Sequence, residues 1–170
     1  DDVRRLVASL ADQYGLDGDE LLLFFSGSKG FHVGLPLSLC GAPASSRAFN
    51  RICRRLAERL AERSGVTIDT QVYDKVRLFR APNSTHQKTG LRKLRLTYDE
   101  LLNLKVERIV ELAREPQVFE VPDYPPVNET ARQDWQHAVE DLQRRTVAAA
   151  ERREESSGSI RLNRATLTFI

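Results

Sequence analysis

A stretch of small polar residues directly follows the apolar run LLLFF and reads Ser26-Gly-Ser-Lys-Gly-Phe-His32. Its two glycines allow a ligand to approach the backbone closely, while Ser26, Ser28 and Lys29 offer hydroxyl and ammonium donors. Small donors, exposed amides and one lysine at the end of a strand are the components of a phosphate-binding loop. The spacing is not that of a Walker A loop. A polar hairpin turn explains the stretch about equally well.

A second polar stretch covers residues 69–90 and reads DTQVYDKVRLFRAPNSTHQKTG. It begins with Asp69 and continues into a loop rich in cationic and hydroxyl side chains. A carboxylate at a strand end can hold a divalent cation, and cationic side chains can hold the phosphates bound to that cation. The stretch therefore suits a metal-bound polyphosphate. Taken alone, Asp69 is more simply explained as a solvated carboxylate.

The apolar pattern around these two stretches predicts the elements that position them. Continuous or alternating apolar residues predict short strands at 21–25, 31–37, 66–68, 76–79 and 91–96. Helical spacing predicts helices at 3–14, 49–64, 101–113 and 129–155, followed by a break at 156–159. Several connections between strands are too short for βαβ crossovers, so we expect an α+β fold with a mixed or antiparallel sheet flanked by helices. Because both polar stretches follow strands, we expect one cleft lined by Ser28, His32, Asp69 and His86.

Composition places the chain among ordinary globular proteins, with 170 residues, 41% hydrophobic and 29% charged. No apolar run is long enough for a membrane span, and no secretion signal is present. Two cysteines, Cys40 and Cys53, are too few for a disulfide framework or a four-ligand zinc site, so we expect no zinc and a cytoplasmic location. Lys75 to Arg95 contains no Asp or Glu, which favours either a phosphate-rich partner or a solvated basic face.

The order and separation of the two stretches resemble those of the archaeo-eukaryotic primase superfamily, over residues 21–96. This superfamily comprises the small catalytic subunit of DNA primase and its phage, plasmid and bacterial relatives. One of its motifs is Ser-Gly-x-(Lys/Arg)-Gly-x-His after a strand, which SGSKGFH matches. A later motif is an aspartate on a strand followed by Arg-x-Pro-x-Ser-x-His-x-Lys-Thr-Gly, which Asp69 and RAPNSTHQKTG match.

The resemblance implies a primase-polymerase-like fold, template-directed nucleotidyl transfer and a role for each matched residue. The triphosphate of the incoming nucleotide would contact residues of both loops: Ser26, Ser28, Lys29, His32, Arg80, Ser84, His86 and Lys88. His32 and Asp69 would be the catalytic residues, and Asp69 would also bind metal. The family's chemistry implies two Mg²⁺ or Mn²⁺ ions, one activating a 3′-hydroxyl and one assisting the departure of pyrophosphate.

The sequence departs from this family in the first motif, which is Asp-x-Asp on a strand upstream of the Ser-Gly loop. Asp17 and Asp19 have that spacing but fall in a glycine-containing turn, and Asp1-Asp2 is adjacent rather than alternate. Alternate carboxylates are needed because side chains i and i+2 share one face of a strand. We expect that the motif either lies before residue 1, which makes the chain an incomplete fragment, or is missing. The chain as it stands should bind nucleotide better than it polymerises it.

The expected organisation is a primase-like nucleotide-binding core at 1–115, a proline-rich connector at 116–128, and a C-terminal helix with a truncated extension at 129–170. The leading interpretation is an enzyme domain that makes or extends a primer from nucleoside triphosphates on single-stranded DNA. Its partners would be further domains of the same chain or a helicase or other replication protein, and no membrane. One alternative is a primase-like module that binds nucleotide or nucleic acid without a complete metal site. Another is a basic nucleic-acid-binding domain without a nucleotide pocket.

Overall fold

The computed structural model describes residues 1–118 and 120–165, with side chains for 1–118 and 120–156. Within these residues the α-helices and β-strands are α1 (Asp2–Tyr14), β1 (Leu22–Phe25), β2 (Phe31–Gly34), α2 (Phe49–Ser64), β3 (Leu94–Leu96), α3 (Tyr98–Asn103), α4 (Val106–Leu112) and α5 (Glu129–Ala165). Short 3-10 turns occupy Gly18–Glu20, Leu37–Cys40 and Thr70–Tyr73. The prediction of an α+β fold with an antiparallel sheet is confirmed.

The three strands form one antiparallel sheet in the order β2-β1-β3. Phe24 in the central strand pairs with His32 on β2 and with Arg95 on β3. Because side chains alternate between the two faces of a sheet, these three residues share one face. Leu23 and Phe25 belong to the opposite face and are buried.

The hydrophobic core lies on the face of the sheet that carries Leu23 and Phe25. Apolar residues of α1, α2 and α5 join it there, including Val7, Leu56 and Ala138. A fully buried leucine or valine contributes roughly 1.5–3 kcal/mol through removal of apolar surface from water. These helices therefore pack on the side of the sheet that carries Leu23 and Phe25, opposite to Phe24 and His32.

Helix α5 is fixed to α1 and α2 by two buried carboxylates. Asp134 accepts two hydrogen bonds from Arg63, at 3.0 and 2.9 Å, and one from the Tyr14 hydroxyl at 3.0 Å. Asp141 accepts from Arg55 and Arg59, both at 3.0 Å. Bidentate arginine–carboxylate pairs have a fixed geometry, so these contacts set the register of α5 along α2.

Two predicted strands are wrong. Residues 66–68 and 76–79 are irregular, and Val76 and Leu78 are 81% and 92% exposed. Their β-branched and apolar residues have strand propensity, but propensity in a strand depends on a partner strand and a face to bury. The predicted strands at 31–37 and 91–96 exist but are shorter, because β2 ends at Gly34 and β3 begins at Leu94.

Two helix predictions also need correction. The predicted helix at 101–113 is two helices, since the chain is extended at Leu104 and Lys105. Arg4 of α1 donates to the carbonyl of Leu101 at 2.8 Å and so satisfies a backbone acceptor at this break. Helix α5 continues to Ala165 through the predicted break at 156–159, where one glycine costs only about 1 kcal/mol of helix propensity. Residues 166–170 of the predicted extension lie outside the described part.

Candidate functional site

The loop between β1 and β2 is closed by its own serine. The backbone N–H of Ser26 donates to the carbonyl of Gly30 at 2.8 Å. The Ser26 hydroxyl oxygen accepts the N–H groups of Ser28 and Gly30, at 3.3 and 3.2 Å. Ser26 is only 9% exposed. Its oxygen therefore shapes the loop, and its hydroxyl proton is not used in these two bonds.

The second loop packs directly on the first. The Arg80 guanidinium donates to the Ser26 carbonyl, and the Thr89 hydroxyl donates to the Gly27 carbonyl at 2.6 Å. Gly27 has φ +78°, and a Cβ atom there would lie 3.0 Å from the Leu91 carbonyl oxygen. Both the left-handed backbone and the close approach require glycine. The prediction that the two loops meet is supported by these contacts.

The second loop has a defined turn at its tip. The N–H of His86 donates to the Leu91 carbonyl at 2.7 Å, and the N–H of Gly90 donates to the His86 carbonyl at 2.9 Å. At the base of the loop Asn83 has φ +61°, and its side-chain amide makes reciprocal hydrogen bonds with the backbone of Gln117 at 2.7 and 3.0 Å. The loop is thereby fixed to the proline-rich connector as well as to the hairpin.

Four cationic or titratable side chains gather where the two loops meet the open face of the sheet. We call His32, Arg77, Arg80 and Lys93 the cationic cluster. The His32 ring lies edge-on to the Phe79 ring, with 5.6 Å between their centroids. The Lys93 ammonium donates to the Arg80 carbonyl at 2.9 Å and lies 4.6 Å from the centroid of a phenylalanine ring in β1. Lys93 is only 6% exposed, so its charge is largely desolvated.

The electrostatics of the cluster favour an anion. Burial, followed by the positive charges of Lys93, Arg80 and Arg77, lowers the pKa of His32 below its usual value. Burial and Arg80 lower the pKa of Lys93. Within the described part of the chain, Arg77, Arg80 and Lys93 form no ion pair with a carboxylate. Their positive charge is therefore uncompensated.

Two polar atoms of the cluster are buried without a hydrogen-bond partner. They are Nδ1 of His32 and Nη1 of Arg80. A buried polar atom without a partner costs about 1–3 kcal/mol, and more when it is charged. Both nitrogens are able to donate to an anionic oxygen, the imidazole nitrogen once it is protonated. The arrangement is suited to holding a phosphate chain.

In the described part of the chain, the side chains of the cluster make no hydrogen bond to five other predicted phosphate contacts: Ser28, Lys29, Ser84, His86 and Lys88. Ser28 is half-buried and Lys29 is exposed on the first loop. On the second loop the Ser84 hydroxyl donates to a backbone carbonyl at 2.6 Å, and His86 Nδ1 accepts the N–H of Lys88 at 3.3 Å. The Lys88 side chain is exposed. Of the predicted nucleotide-binding residues, Arg80 contacts the Ser26 carbonyl, and its charge lies close enough to His32 to help lower the pKa of that imidazole.

Asp69 does not occupy the strand position that the sequence predicts. It is exposed and caps the 3-10 turn Thr70–Tyr73, accepting the N–H of Gln71 at 2.9 Å. Among the described residues, no group of three or more His, Cys, Asp or Glu side chains could hold a metal ion. A two-metal centre needs several carboxylates, so the described donors do not fit the expected Mg²⁺ or Mn²⁺ pair.

Sequence reasoning includes Arg77 in the cationic stretch 69–90 but misses Lys93 and Phe79 as parts of the site. A signal for Lys93 was available, because basic and apolar residues alternate along residues 91–96. Period-two alternation places Lys93 and Arg95 on the face opposite the buried Leu94 and Leu96. No such signal marks Phe79, whose contact with His32 depends on how an irregular segment crosses the sheet.

No family model, curated protein or solved structure matches this chain. The primase resemblance therefore depends on the two matched motifs alone. In the part of the chain that the structure describes, no helix has the length and apolar character needed to span a membrane.

Proposed function

We propose that this chain is a domain of primase-polymerase type, whose cationic cluster binds the triphosphate of a nucleotide used in template-directed transfer. One observation carries the proposal: two buried nitrogens, His32 Nδ1 and Arg80 Nη1, lack partners where the two matched motifs meet. The sequence motifs and the uncompensated charge support the same ligand. A neutral ligand would not offset three cations that lack counter-charges.

Each residue of the cluster has a distinct part in this proposal. Arg80 is oriented by its hydrogen bond to the Ser26 carbonyl and would donate to a phosphate oxygen through its other nitrogen. Lys93 is fixed through the Arg80 carbonyl and would supply a second, largely desolvated charge. His32 is held against Phe79 and would donate once the phosphate favours its protonated form.

The nucleotidyl transfer itself needs carboxylates in addition to Asp69. The described donors supply no such group, and this favours the second candidate, a module that binds nucleotide without transferring it. Both candidates share the triphosphate site. They differ in whether bound nucleotide is incorporated into a primer.

Calorimetric titration with a nucleoside triphosphate and with inorganic tripolyphosphate tests the binding site. Replacing a charged group that contacts phosphate costs about 1.5–3 kcal/mol, so His32→Ala and Arg80→Ala should each weaken binding by roughly tenfold or more. Arg108→Ala is the matched control, because Arg108 is an exposed arginine paired with Glu111 on α4. Equal affinity in all four proteins would refute the site.

Tripolyphosphate separates recognition of the phosphates from recognition of the base. Competition between tripolyphosphate and the nucleotide, with the same loss in Arg80→Ala, would support a site built for the phosphate chain. Binding of the nucleotide without competition would place the contact elsewhere on the molecule and contradict the proposal.

A further inference from the structure

A groove with a volume of about 860 Å³ separates the start of α2 from the segment 70–78. Arg51 and Arg77 line this groove and form no ion pair in the described part of the chain. Arg54 also lines it, and its charge is partly offset by an ion pair within α2. Asp74 is the one carboxylate among the lining residues. The groove therefore carries a net positive charge.

The groove also has an exposed apolar wall. Val76 and Leu78 line it and are 81% and 92% exposed. This wall is fixed to α2, because the side-chain amide of Asn50 donates to the Tyr73 carbonyl at 3.0 Å. Large exposed apolar side chains beside arginines are typical of surfaces that bind another protein. A partner would meet a preformed surface and would not need to order it first.

The proline-rich connector is anchored at both ends. Near its start, Gln117 exchanges two hydrogen bonds with the side chain of Asn83. At its end, the backbone N–H of Asn128 donates to the Leu39 carbonyl at 2.9 Å, and the side-chain amide of Asn128 donates to the Tyr14 carbonyl at 2.7 Å. Each proline between these anchors has a fixed φ and restricts the residue before it to extended conformations. The connector is therefore an ordered, extended segment.

Exposure along the connector repeats every three residues. Val121, Tyr124 and Val127 are 59–80% exposed. Pro122 is half-buried and Pro125 is buried, and these two prolines are also three residues apart. A polyproline II helix has three residues per turn, so residues with this spacing lie on one side of it. One side of the connector thus faces the body of the protein, and another presents three large apolar side chains to solvent.

The third side of the connector is acidic. Glu120 and Asp123 are again three residues apart, and both are exposed. Neither forms an ion pair in the part of the chain that the structure describes. No Lys or Arg occurs within 116–128. The connector therefore offers apolar side chains beside unpaired carboxylates, whereas the groove offers apolar side chains beside arginines, so the two surfaces are complementary.

From this complementarity we infer that the connector of one copy of this chain docks into the groove of a second copy. Glu120 and Asp123 would face Arg51 and Arg54, and Tyr124 would pack on the apolar wall. Because each copy carries both surfaces, two reciprocal contacts would close a symmetric dimer. Exposed ion pairs add little affinity and mainly determine which surfaces meet, so the dimer should be weak and sensitive to salt. This dimer does not depend on the proposed triphosphate site.

Sedimentation velocity over a range from micromolar to near-millimolar protein tests this contact. The wild-type mass should rise from monomer to dimer with concentration, and less so at high salt. Reversing the connector charges, with Glu120→Lys and Asp123→Lys together, should weaken the dimer by roughly tenfold or more, because attraction becomes repulsion. Tyr124→Ala should also weaken it through loss of an apolar contact. The control is Asp2→Lys with Asp12→Lys, which changes the net charge equally at exposed positions of α1 and should leave association unchanged.

Charge reversal in the groove supplies the matching variant, Arg51→Glu with Arg54→Glu. Both positions are exposed, so the fold should be retained, and thermal unfolding checks this. Alone, this variant should dimerise as poorly as the connector variant. An equimolar mixture of the two variants should recover the dimer, because each reversed connector then meets a groove of opposite charge.

Three results would overturn the dimer. The first is a wild-type chain that stays monomeric over the whole concentration range. The second is association that persists in both charge-reversed variants, which would place the contact on other surfaces. The third is a mixture that stays as monomeric as its components, since the two surfaces would then not meet each other.

Discussion

The imidazole of His32 lies among three cations and against the edge of Phe79. A histidine in such a place is neutral near pH 7, because its protonated form is both desolvated and repelled. A bound phosphate would reverse the repulsion of the protonated form, because it supplies negative charge. The protonation of this one side chain therefore reports whether an anion occupies the cluster.

We expect NMR titration of the His32 ring to give a pKa below 6.5 in the free protein and a higher pKa with tripolyphosphate. By linkage, affinity should rise as the pH falls from the bound-state pKa to the free-state pKa. Arg80→Ala should raise the free-state pKa, because a repelling charge is gone. Arg108→Ala is the control, because Arg108 is an exposed arginine paired with Glu111 on α4. An unshifted His32 on addition of tripolyphosphate would contradict the proposed ligand.

The packing of the two loops can be tested by a matched pair of substitutions, one at Gly27 and one at Gly90. Both have positive φ, +78° and +72°, but only a Cβ at Gly27 would meet backbone atoms within 4 Å. Gly90→Ala should cost about 1–2 kcal/mol of stability, from the left-handed backbone alone. Gly27→Ala should cost more and should also weaken tripolyphosphate binding. Equal thermal shifts in the two variants would show that the loops do not approach closely.

At the scale of elements, α5 is held in place by two of its own carboxylates, Asp134 and Asp141, which pair with arginines of α2. Burial alone would raise the pKa of Asp141, but hydrogen bonds from Arg144, Arg55 and Arg59 outweigh burial and lower it to about 2. Burial alone would also raise the pKa of Asp134, but hydrogen bonds from Arg63 and Tyr14 outweigh burial and lower it. Both carboxylates are therefore charged in the folded protein at neutral pH.

The stability contributed by Asp141 should be fully present above the unfolded-state pKa of about 4 and should be lost as the pH falls toward about 2. At neutral pH Asp141→Asn should lower the free energy of unfolding by about 1.5–3 kcal/mol. Urea denaturation at several pH values measures both effects. Asp12→Asn is the control, since Asp12 is exposed on α1. A variant as stable as the Asp12 control would show that the contacts of Asp141 with its arginines do not stabilise the fold.

The elements that could be predicted from the sequence are those whose positions follow from the pattern of their own residues. Continuous burial around Leu23 and helical spacing around Leu56 are local patterns, so β1 and α2 were predicted with correct positions. The segment 76–79 was misread because its strand propensity had no partner strand. Motif spacing predicts His32 and Arg80 as site residues, and alternation along residues 91–96 is a local signal that places Lys93 on the same face of the sheet as Arg95. The contact between Phe79 and His32 depends on how an irregular segment crosses the sheet, which no local pattern encodes.

At the scale of the whole molecule, apolar residues of α1, α2 and α5 pack with Leu23 and Phe25 on one face of the sheet, and His32 and Arg95 lie on the other face. The cationic cluster includes Arg77, which lies in the irregular segment 77–80. Asp69 precedes this segment, but its carboxylate is exposed and occupied in capping a turn. The molecule thus combines the cationic cluster with an exposed carboxylate that caps a turn.

We expect the 170-residue chain to bind nucleoside triphosphate without appreciable primer synthesis or extension on single-stranded DNA with Mg²⁺ or Mn²⁺. The reason is that one aspartate cannot position two divalent cations. Asp69→Asn should leave triphosphate affinity in metal-free buffer within about twofold, because an exposed substitution of this kind changes energies by less than 0.5 kcal/mol. Robust synthesis that is lost in Asp69→Asn would show that the metal centre had been wrongly excluded.

The hydrogen bond between Tyr14 and Asp134 joins residues that are 120 positions apart in the chain. During translation at about 5–20 residues per second, roughly 6 to 24 seconds pass between the synthesis of these two partners. Until α5 leaves the ribosome, the apolar faces of α1 and α2 that it covers stay exposed to water and to other nascent chains. The order of synthesis therefore leaves these apolar faces of the N-terminal helices uncovered until α5 has been made.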